Sequence, residues 1–294
     1  MELYLLWLVI TWLASSNGLA LGETCWRNTP CDEVKDSSFP GEWESNIFAP
    51  ASRTVTPSAA FDLGTHKRLS SWPEGAILQG SQKGVYFDFG SEVGGIITIE
   101  FEVLSVTHKG TIALAFAEAR DWIGPVSDSS SGNYGREDGA LRHSFFAPGK
   151  HTYVVPDKKL RGGFRYMTLV VQGNGASIRV KNVSLEISFQ PTWSNLRAYR
   201  GYFHSSDDLL NKIWYSCAYT LQLSAVHPET GRAWPSPGKE WHNNGNIGPG
   251  HTINTDGAKR DRTVWPGDMG VAIPASAYST GDVESAFFLH EAHT

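Results

Sequence analysis

Charge is scarce in this chain, and basic charge is the scarcer sign. Only 19% of the 294 residues are charged, and 25 basic residues stand against 30 acidic ones, which gives a formal net charge of −5. No run of Lys or Arg occurs anywhere along the sequence. Proteins that bind nucleic acid neutralise phosphates with clustered basic side chains, so we expect no nucleic-acid partner.

Cysteine is also rare, with three residues in the whole chain. The sequence has no CxxC pair, no HExxH motif, no nucleotide-binding glycine loop and no Gly-x-Ser-x-Gly elbow. It therefore predicts no metal site and no cofactor, and it does not support a redox enzyme or an esterase. The segment 240–242 and the pair His290 and His293 are weak alternatives without a motif around them.

Long apolar runs are limited to one, at the amino terminus. Residues 3–13 are too few to span a bilayer, and small and polar residues follow them up to Ala20. This predicts a secretory signal peptide over residues 1–22, with cleavage near Ala20 or Gly22. The mature protein would be secreted and extracellular, with no membrane segment. Glu2 stands where a signal normally has Lys or Arg, which leaves a buried strand as the alternative.

Export would place the three cysteines in an oxidising compartment. Cys25 and Cys31 lie close together in a linker segment that we assign to residues 23–45, and we expect them to form a disulfide bond. Cys217 lies in an apolar helical stretch, where we expect a buried and inert thiol. Asn182 begins an Asn-Val-Ser glycosylation sequon, which fits the same secreted setting.

Short β-type runs broken by Gly, Pro, Asp and Ser fill the stretch 46–190. Apolar, β-branched and aromatic residues are concentrated in seven runs, at 84–89, 95–103, 111–116, 152–155, 166–171, 176–180 and 183–188. Regular spacing with turn residues between the runs predicts an all-β sandwich of a jelly-roll-like kind. One long loop, 121–139, is expected to be a disordered or plain connection, with a functional loop as the alternative.

The pattern changes after Pro191. Residues 205–208 precede apolar positions three and four apart as far as Leu223, which predicts a capped helix. The Gly-, Pro- and Asn-rich stretch 227–263 has no periodicity, and 264–277 and 282–290 are helical in pattern again. We predict antiparallel helices over 200–294, in an incomplete catalytic domain, joined by a long loop of the kind that carries functional residues.

The densest group of polar residues lies in that loop. Residues 256–268 include three carboxylates, three cations and one Trp. Cleavage of a glycosidic bond needs a carboxylic acid to protonate the leaving oxygen and a second carboxylate to handle water. The loop meets part of that requirement. A surface ion-pair network, which would contribute little stability, is the alternative for the same residues.

The order Asp-Gly-x-Lys-Arg-Asp-Arg-x-x-Trp-x-Gly-Asp in 256–268 resembles the signature loop of the α-L-rhamnosidases of glycoside hydrolase family 78, in their fungal form. Segments 87–95, 116–118, 162–166 and 203–214 also resemble that family. The resemblance covers residues from about 48 onward and implies the amino-terminal portion of such an enzyme. The implied fold is a β-sandwich followed by the truncated start of an α/α six-hairpin toroid.

The resemblance also implies an activity and residue roles. The activity is hydrolysis of terminal α-L-rhamnose, with inversion, from a rhamnose-containing glycoside or polysaccharide. Asp261 would be the general acid, Asp256 and Asp268 would hold the sugar near Trp265, and Arg260 would pair with a carboxylate or contact the substrate. Many members have Glu at the position of Asp261. The family's base lies beyond this chain, so we expect an incomplete enzyme, with a non-catalytic carbohydrate-binding or vestigial protein as the alternative.

Overall fold

The computed structural model describes residues 25–27, 36–81, 84–130, 137–233, 241–243 and 245–286. The predicted signal peptide, Cys31 and the two carboxy-terminal histidines lie outside these ranges. No helix within them is both long enough and apolar enough to span a bilayer.

Nine of the strands that the structure describes form one antiparallel sheet. They are β1 (Thr54–Val55), β2 (Ala59–Asp62), β3 (Ala76–Gln79), β4 (Val85–Ser105), β5 (Gly110–Ala117), β6 (Leu141–Phe145), β7 (Gly149–Val154), β8 (Arg161–Gln172) and β9 (Ser177–Ile187). Short 3-10 helices lie at Glu42–Asn46, Arg120–Trp122, Asp157–Lys159 and Pro228–Thr230.

Strand β4 runs through both layers of a sandwich. Its first part, up to Asp88, pairs with β2 on one side and with β8 on the other. From Gly95 onward it pairs with β9, and over part of that length with β7. The register shifts between Asp88 and Gly95 mark the crossing between the layers. The sheet therefore curls around one apolar core, and the predicted β-sandwich is confirmed.

The crossing point requires glycine because two backbones meet there. A Cβ on Gly95 would lie 1.8 Å from the carbonyl oxygen of Glu186, on the neighbouring strand β9. A Cβ on Gly94 would lie 3.1 Å from the Cα atom of Gly162 on β8. Side chains at these two positions would push apart the strands that β4 joins.

Helices follow the sandwich, as the sequence predicts. Helix α1 (Asp208–Ser224) begins at the predicted cap, where the carboxylate of Asp207 accepts a hydrogen bond from the backbone N–H of Leu209 at 2.8 Å. Helix α2 (Pro266–Ser279) contacts α1. Between them, β10 (Ala225–Val226) and β11 (Ile253–Asn254) form an antiparallel ladder.

Helix α1 is held against the point where β4 changes layers. Tyr219 is buried on the inner face of α1, and its hydroxyl donates a hydrogen bond to the carbonyl of Glu92 at 2.6 Å. This contact fixes the end of the helix, and the loop that follows it, beside the sandwich.

The expectation of a buried Cys217 is wrong. Asn211, Tyr215, Ala218 and Tyr219 occupy the inner face of α1 at helical spacing, and Cys217 points to the exposed side as a free thiol. The apolar residues around it in sequence suggested burial, but several of them are themselves exposed.

The other covalent features remain predictions. Cys25 takes part in a disulfide bond, but Cys31 lies outside the described residues. Asn182 is half-buried on β9 opposite Glu100 of β4, and its glycosylation is not tested by the structure. The domain boundaries at 46–190 and 200–294 also stay predictions.

Replacing Gly95 with Ala should lower the free energy of unfolding by about 3 kcal/mol, because the backbone clash adds to the strain of a positive φ. Gly149→Ala is the matched control, since Gly149 has a φ of +124° with open space around it, and it should lose about 1 kcal/mol. Chemical denaturation measures both. Equal losses would show that the layer crossing tolerates a side chain.

Candidate functional site

The signature loop, residues 256–268, forms one wall of a cavity of about 540 Å³. The loop contributes Asp256, Arg260 and Asp261 to the lining, and the end of α1 contributes its last turn. The opposite wall comes from the sandwich, through Glu92 on β4 and Glu118 just after β5. The cavity therefore lies where the two parts of the fold meet.

The structure does not bring every predicted site residue to this cavity. Trp265 caps the start of α2, and Asp268 lies in the first turn of that helix, where it is exposed. Within the described part of the chain, neither residue lines the cavity. Because the helix starts at Pro266, the geometry of its first turn directs Asp268 toward solvent. Asp256, Arg260 and Asp261 are the predicted residues that come together.

Two glycines of β8 allow the signature loop to rest on the sandwich. A Cβ on Gly162 would lie 1.9 Å from the carbonyl oxygen of Ala258. A Cβ on Gly163 would lie 3.1 Å from the Cβ of Lys259 and 2.8 Å from a carboxylate oxygen of Glu92. Any larger residue at either position would displace the loop from β8.

Arg262, a residue of the signature loop, holds the loop in place through hydrogen bonds. Its buried guanidinium donates to the carbonyl of Thr230 at 2.7 Å and to the carbonyl of Ala258. Burial and the nearby charge of Arg232 lower the pKa of Arg262 to about 9. Asp261 and Arg262 both have a positive φ, of 35° and 56°, a conformation that non-glycine residues adopt only where surrounding contacts stabilise it.

Asp256 carries the raised pKa expected of a carboxyl group in a site. Its Oδ1 atom accepts a hydrogen bond from the backbone N–H of Thr263 at 3.0 Å. Burial and the negative charges of Asp261 and Asp268 nevertheless raise the pKa of Asp256 to about 6. The group can therefore hold a proton under mildly acidic conditions.

One carboxylate oxygen of Asp261 is buried without a hydrogen bond to any described residue. Its Oδ1 atom is buried and has no hydrogen-bond partner among the residues that the structure describes. The Nε atom of Arg260 lies 3.9 Å away, which is an ion-pair distance but too long for a hydrogen bond. Buried polar atoms are normally hydrogen-bonded, so this oxygen is an exception, and it belongs to a residue that lines the cavity.

Sequence reasoning did not assign a role to Glu92 or Glu118. Glu92 lies in the irregular part of β4, within the register shift between Asp88 and Val93, and such bulges often direct a side chain into a site. Burial, followed by the charge of Glu118, raises the pKa of Glu92 to about 7, although Lys259 opposes the shift. Glycines at positions 90, 94 and 95 within strand β4 are the sequence signal for this bulge.

The loop 121–139 supports the site rather than serving as a plain connection. In its described part, Asp128 forms one ion pair with Lys259 at 3.2 Å and another with the buried Arg161. Asp138 forms a second buried ion pair with Arg161. The ring of Trp241, from one of the weaker candidate segments, packs 4.6 Å from that guanidinium in the core.

Two solved structures resemble the chain. A rhamnosidase from Klebsiella oxytoca with rhamnose bound matches 82% of this chain and 43% of its own length, with a TM-score of 0.52 and 14% identity. A family 78 rhamnosidase of Bacillus sp. GL1 matches 72% of this chain and 18% of its own length, with a TM-score of 0.51 and 24% identity. The chain shares its fold with the matched part of each enzyme.

This likeness confirms the predicted fold, a β-sandwich followed by helices. The chain spans less than half the length of either solved rhamnosidase. No protein-family model matches the chain, and no curated protein matches it.

Asp256→Asn should stabilise the protein above pH 6 by about 1 kcal/mol, after allowance for solvent screening of this partly exposed group. A carboxyl whose pKa is higher in the folded state stabilises the fold when protonated, and that contribution disappears as the pH rises from about 4 through about 6. The Asn variant and the natural protein should therefore be equally stable near pH 4.

Denaturation curves at several pH values measure this effect, with Asp121→Asn as the control at an exposed carboxylate. A constant difference at all pH values would show that Asp256 does not titrate in the expected range.

Proposed function

We propose that this protein is a glycoside hydrolase of family 78 that releases terminal α-L-rhamnose, with inversion, from a rhamnose-containing glycoside or polysaccharide. Support comes from a fold shared with part of two rhamnosidases, from the order of residues in the signature loop, and from a polar cavity lined by that loop. The match covers 43% and 18% of the lengths of the two similar enzymes. The activity is therefore proposed for the full-length protein.

One observation carries the proposal, namely that Asp261 lines the cavity and that its buried Oδ1 atom has no hydrogen-bond partner among the described residues. An acid that protonates a leaving oxygen must present an oxygen to the substrate rather than to the protein. Asp261 is half-buried, with 17% of its side chain exposed, so a sugar could complete the burial. We assign it the role of proton donor.

The neighbouring residues receive the roles of sugar ligands. Asp256, with a pKa near 6, can donate or accept a hydrogen bond at a sugar hydroxyl. Arg260 lies beside Asp261 and can contact the substrate or stabilise the charge that develops there. Trp265 and Asp268 do not line the described cavity, and we propose that they contact the sugar from outside it, at the start of α2. The base of an inverting pair, about 6.5–9.5 Å from the acid, is proposed to lie elsewhere in the full-length protein.

We further propose that the protein is exported and acts outside the cell. The apolar run at 3–13, the sequon at Asn182 and the disulfide bond of Cys25 support this location. The predicted pairing of Cys25 with Cys31 belongs to the same proposal.

Asp261→Asn in the full-length protein should lower kcat by about 10² to 10⁴ on a rhamnoside with a poor leaving group, because the proton donor is lost at nearly constant size. With an activated aryl rhamnoside, which needs little protonation, the loss should stay below about tenfold. Steady-state kinetics on the two substrates measure the contrast.

The control for this contrast is Asp256→Asn, which should reduce activity on both substrates to a similar extent because it removes a sugar ligand. A leaving-group contrast at Asp256 instead of Asp261 would move the acid role to Asp256. Binding of rhamnose without hydrolysis of either rhamnoside by the unmodified protein would favour the non-catalytic carbohydrate-binding alternative.

A further inference from the structure

The sandwich presents a carboxyl group to the cavity at Glu92. The backbone of Glu92 is anchored by the hydrogen bond from Tyr219 on α1, and its carboxylate lies over Gly163 of β8. The side chain lines the same cavity as Asp256 and Asp261. Three elements therefore fix the position of this residue, namely β4, β8 and α1.

The cation nearest to Glu92 is already engaged by other carboxylates. Lys259 forms ion pairs with Glu118 at 2.9 Å and with Asp128 at 3.2 Å. No described residue forms a hydrogen bond or an ion pair with the carboxylate of Glu92. A half-buried carboxyl without a partner lowers the stability of the fold. Such a group is expected where function requires it.

The protonation state of Glu92 suits a sugar. The charged and titratable groups that face it are Glu118 after β5, Asp128 in the loop 121–139, Lys259 in the signature loop and Tyr219 on α1. Burial and the two acidic neighbours outweigh Lys259 and raise the pKa of Glu92 to about 7. Below that pH the carboxyl can both donate and accept a hydrogen bond, as a sugar hydroxyl does.

We propose that Glu92 is a substrate-binding residue, whose carboxyl group hydrogen-bonds a hydroxyl of the sugar that Asp256 and Asp261 hold from the opposite wall. The sandwich then forms part of the sugar site rather than only supporting the helical domain. This inference rests on the proposed function, because it takes the cavity as the place where the glycoside binds.

The test uses Glu92→Gln and Glu92→Ala in the full-length protein, with KM and kcat measured on an aryl rhamnoside from pH 5 to pH 9. Glu92→Ala should raise KM about tenfold below pH 7 and change kcat less. In the natural protein, KM should rise above pH 7 as Glu92 ionises and loses its proton. Glu92→Gln cannot ionise, so it should remove this rise while keeping KM low at pH 8.

The control is Glu100→Gln, which changes an exposed carboxylate on the same strand and should leave both constants unchanged. Thermal melting of each variant checks that the fold is intact. If the natural protein hydrolyses rhamnosides and both Glu92 variants behave like Glu100→Gln, the inference about Glu92 is overturned and the proposed function stands. If the natural protein hydrolyses no rhamnoside, the proposed function and the inference fall together.

Discussion

The contact between the signature loop and the glycine pair Gly162 and Gly163 is the constraint on which the site depends. At Gly162 the backbone of β8 approaches the carbonyl of Ala258 so closely that a single methyl group would not fit. Because no side chain separates loop and sheet, Lys259 can reach the carboxylates at the edge of the sandwich. The same proximity lets the buried Arg262 tie the loop to the segment around Thr230. The cavity exists because the signature loop and the sandwich meet at its edge.

Charge in the site is distributed unevenly, and this has chemical consequences. The buried cations are engaged away from the cavity centre, with Arg161 on Asp128 and Asp138 and with Arg262 on backbone carbonyls. Asp256 and Glu92, which line the cavity, form no ion pair with any residue that the structure describes. In such surroundings burial favours the neutral acid, as the raised pKa values of Asp256 and Glu92 indicate. A cavity that retains protons near neutral pH is suited to general acid chemistry.

Local patterns made much of the fold predictable. The alternation of short apolar runs and turn residues indicated the sandwich, and the side chain of Asp207 marked the start of α1 because capping depends on a few adjacent residues. The chemistry of residues 256–268 was also visible, since the reactive groups are close together in sequence.

Features that depend on distant contacts could not be predicted in the same way. Glu92 and Glu118 are far from the signature loop in sequence and meet it at the cavity only in the folded chain. Asp268 belongs to the same motif as Asp256, but the start of α2 turns it toward solvent. Cys217 shows the same limit on a smaller scale, because its exposure follows from which face of α1 the sandwich covers.

A crystal structure of the full-length protein with rhamnose bound tests the central claim most directly. A sugar ring should lie in the cavity between the signature loop and the crossing point of β4, within hydrogen-bond distance of Asp256 and Asp261 on one side and of Glu92 on the other. Rhamnose bound elsewhere, with this cavity occupied by water alone, would contradict the account.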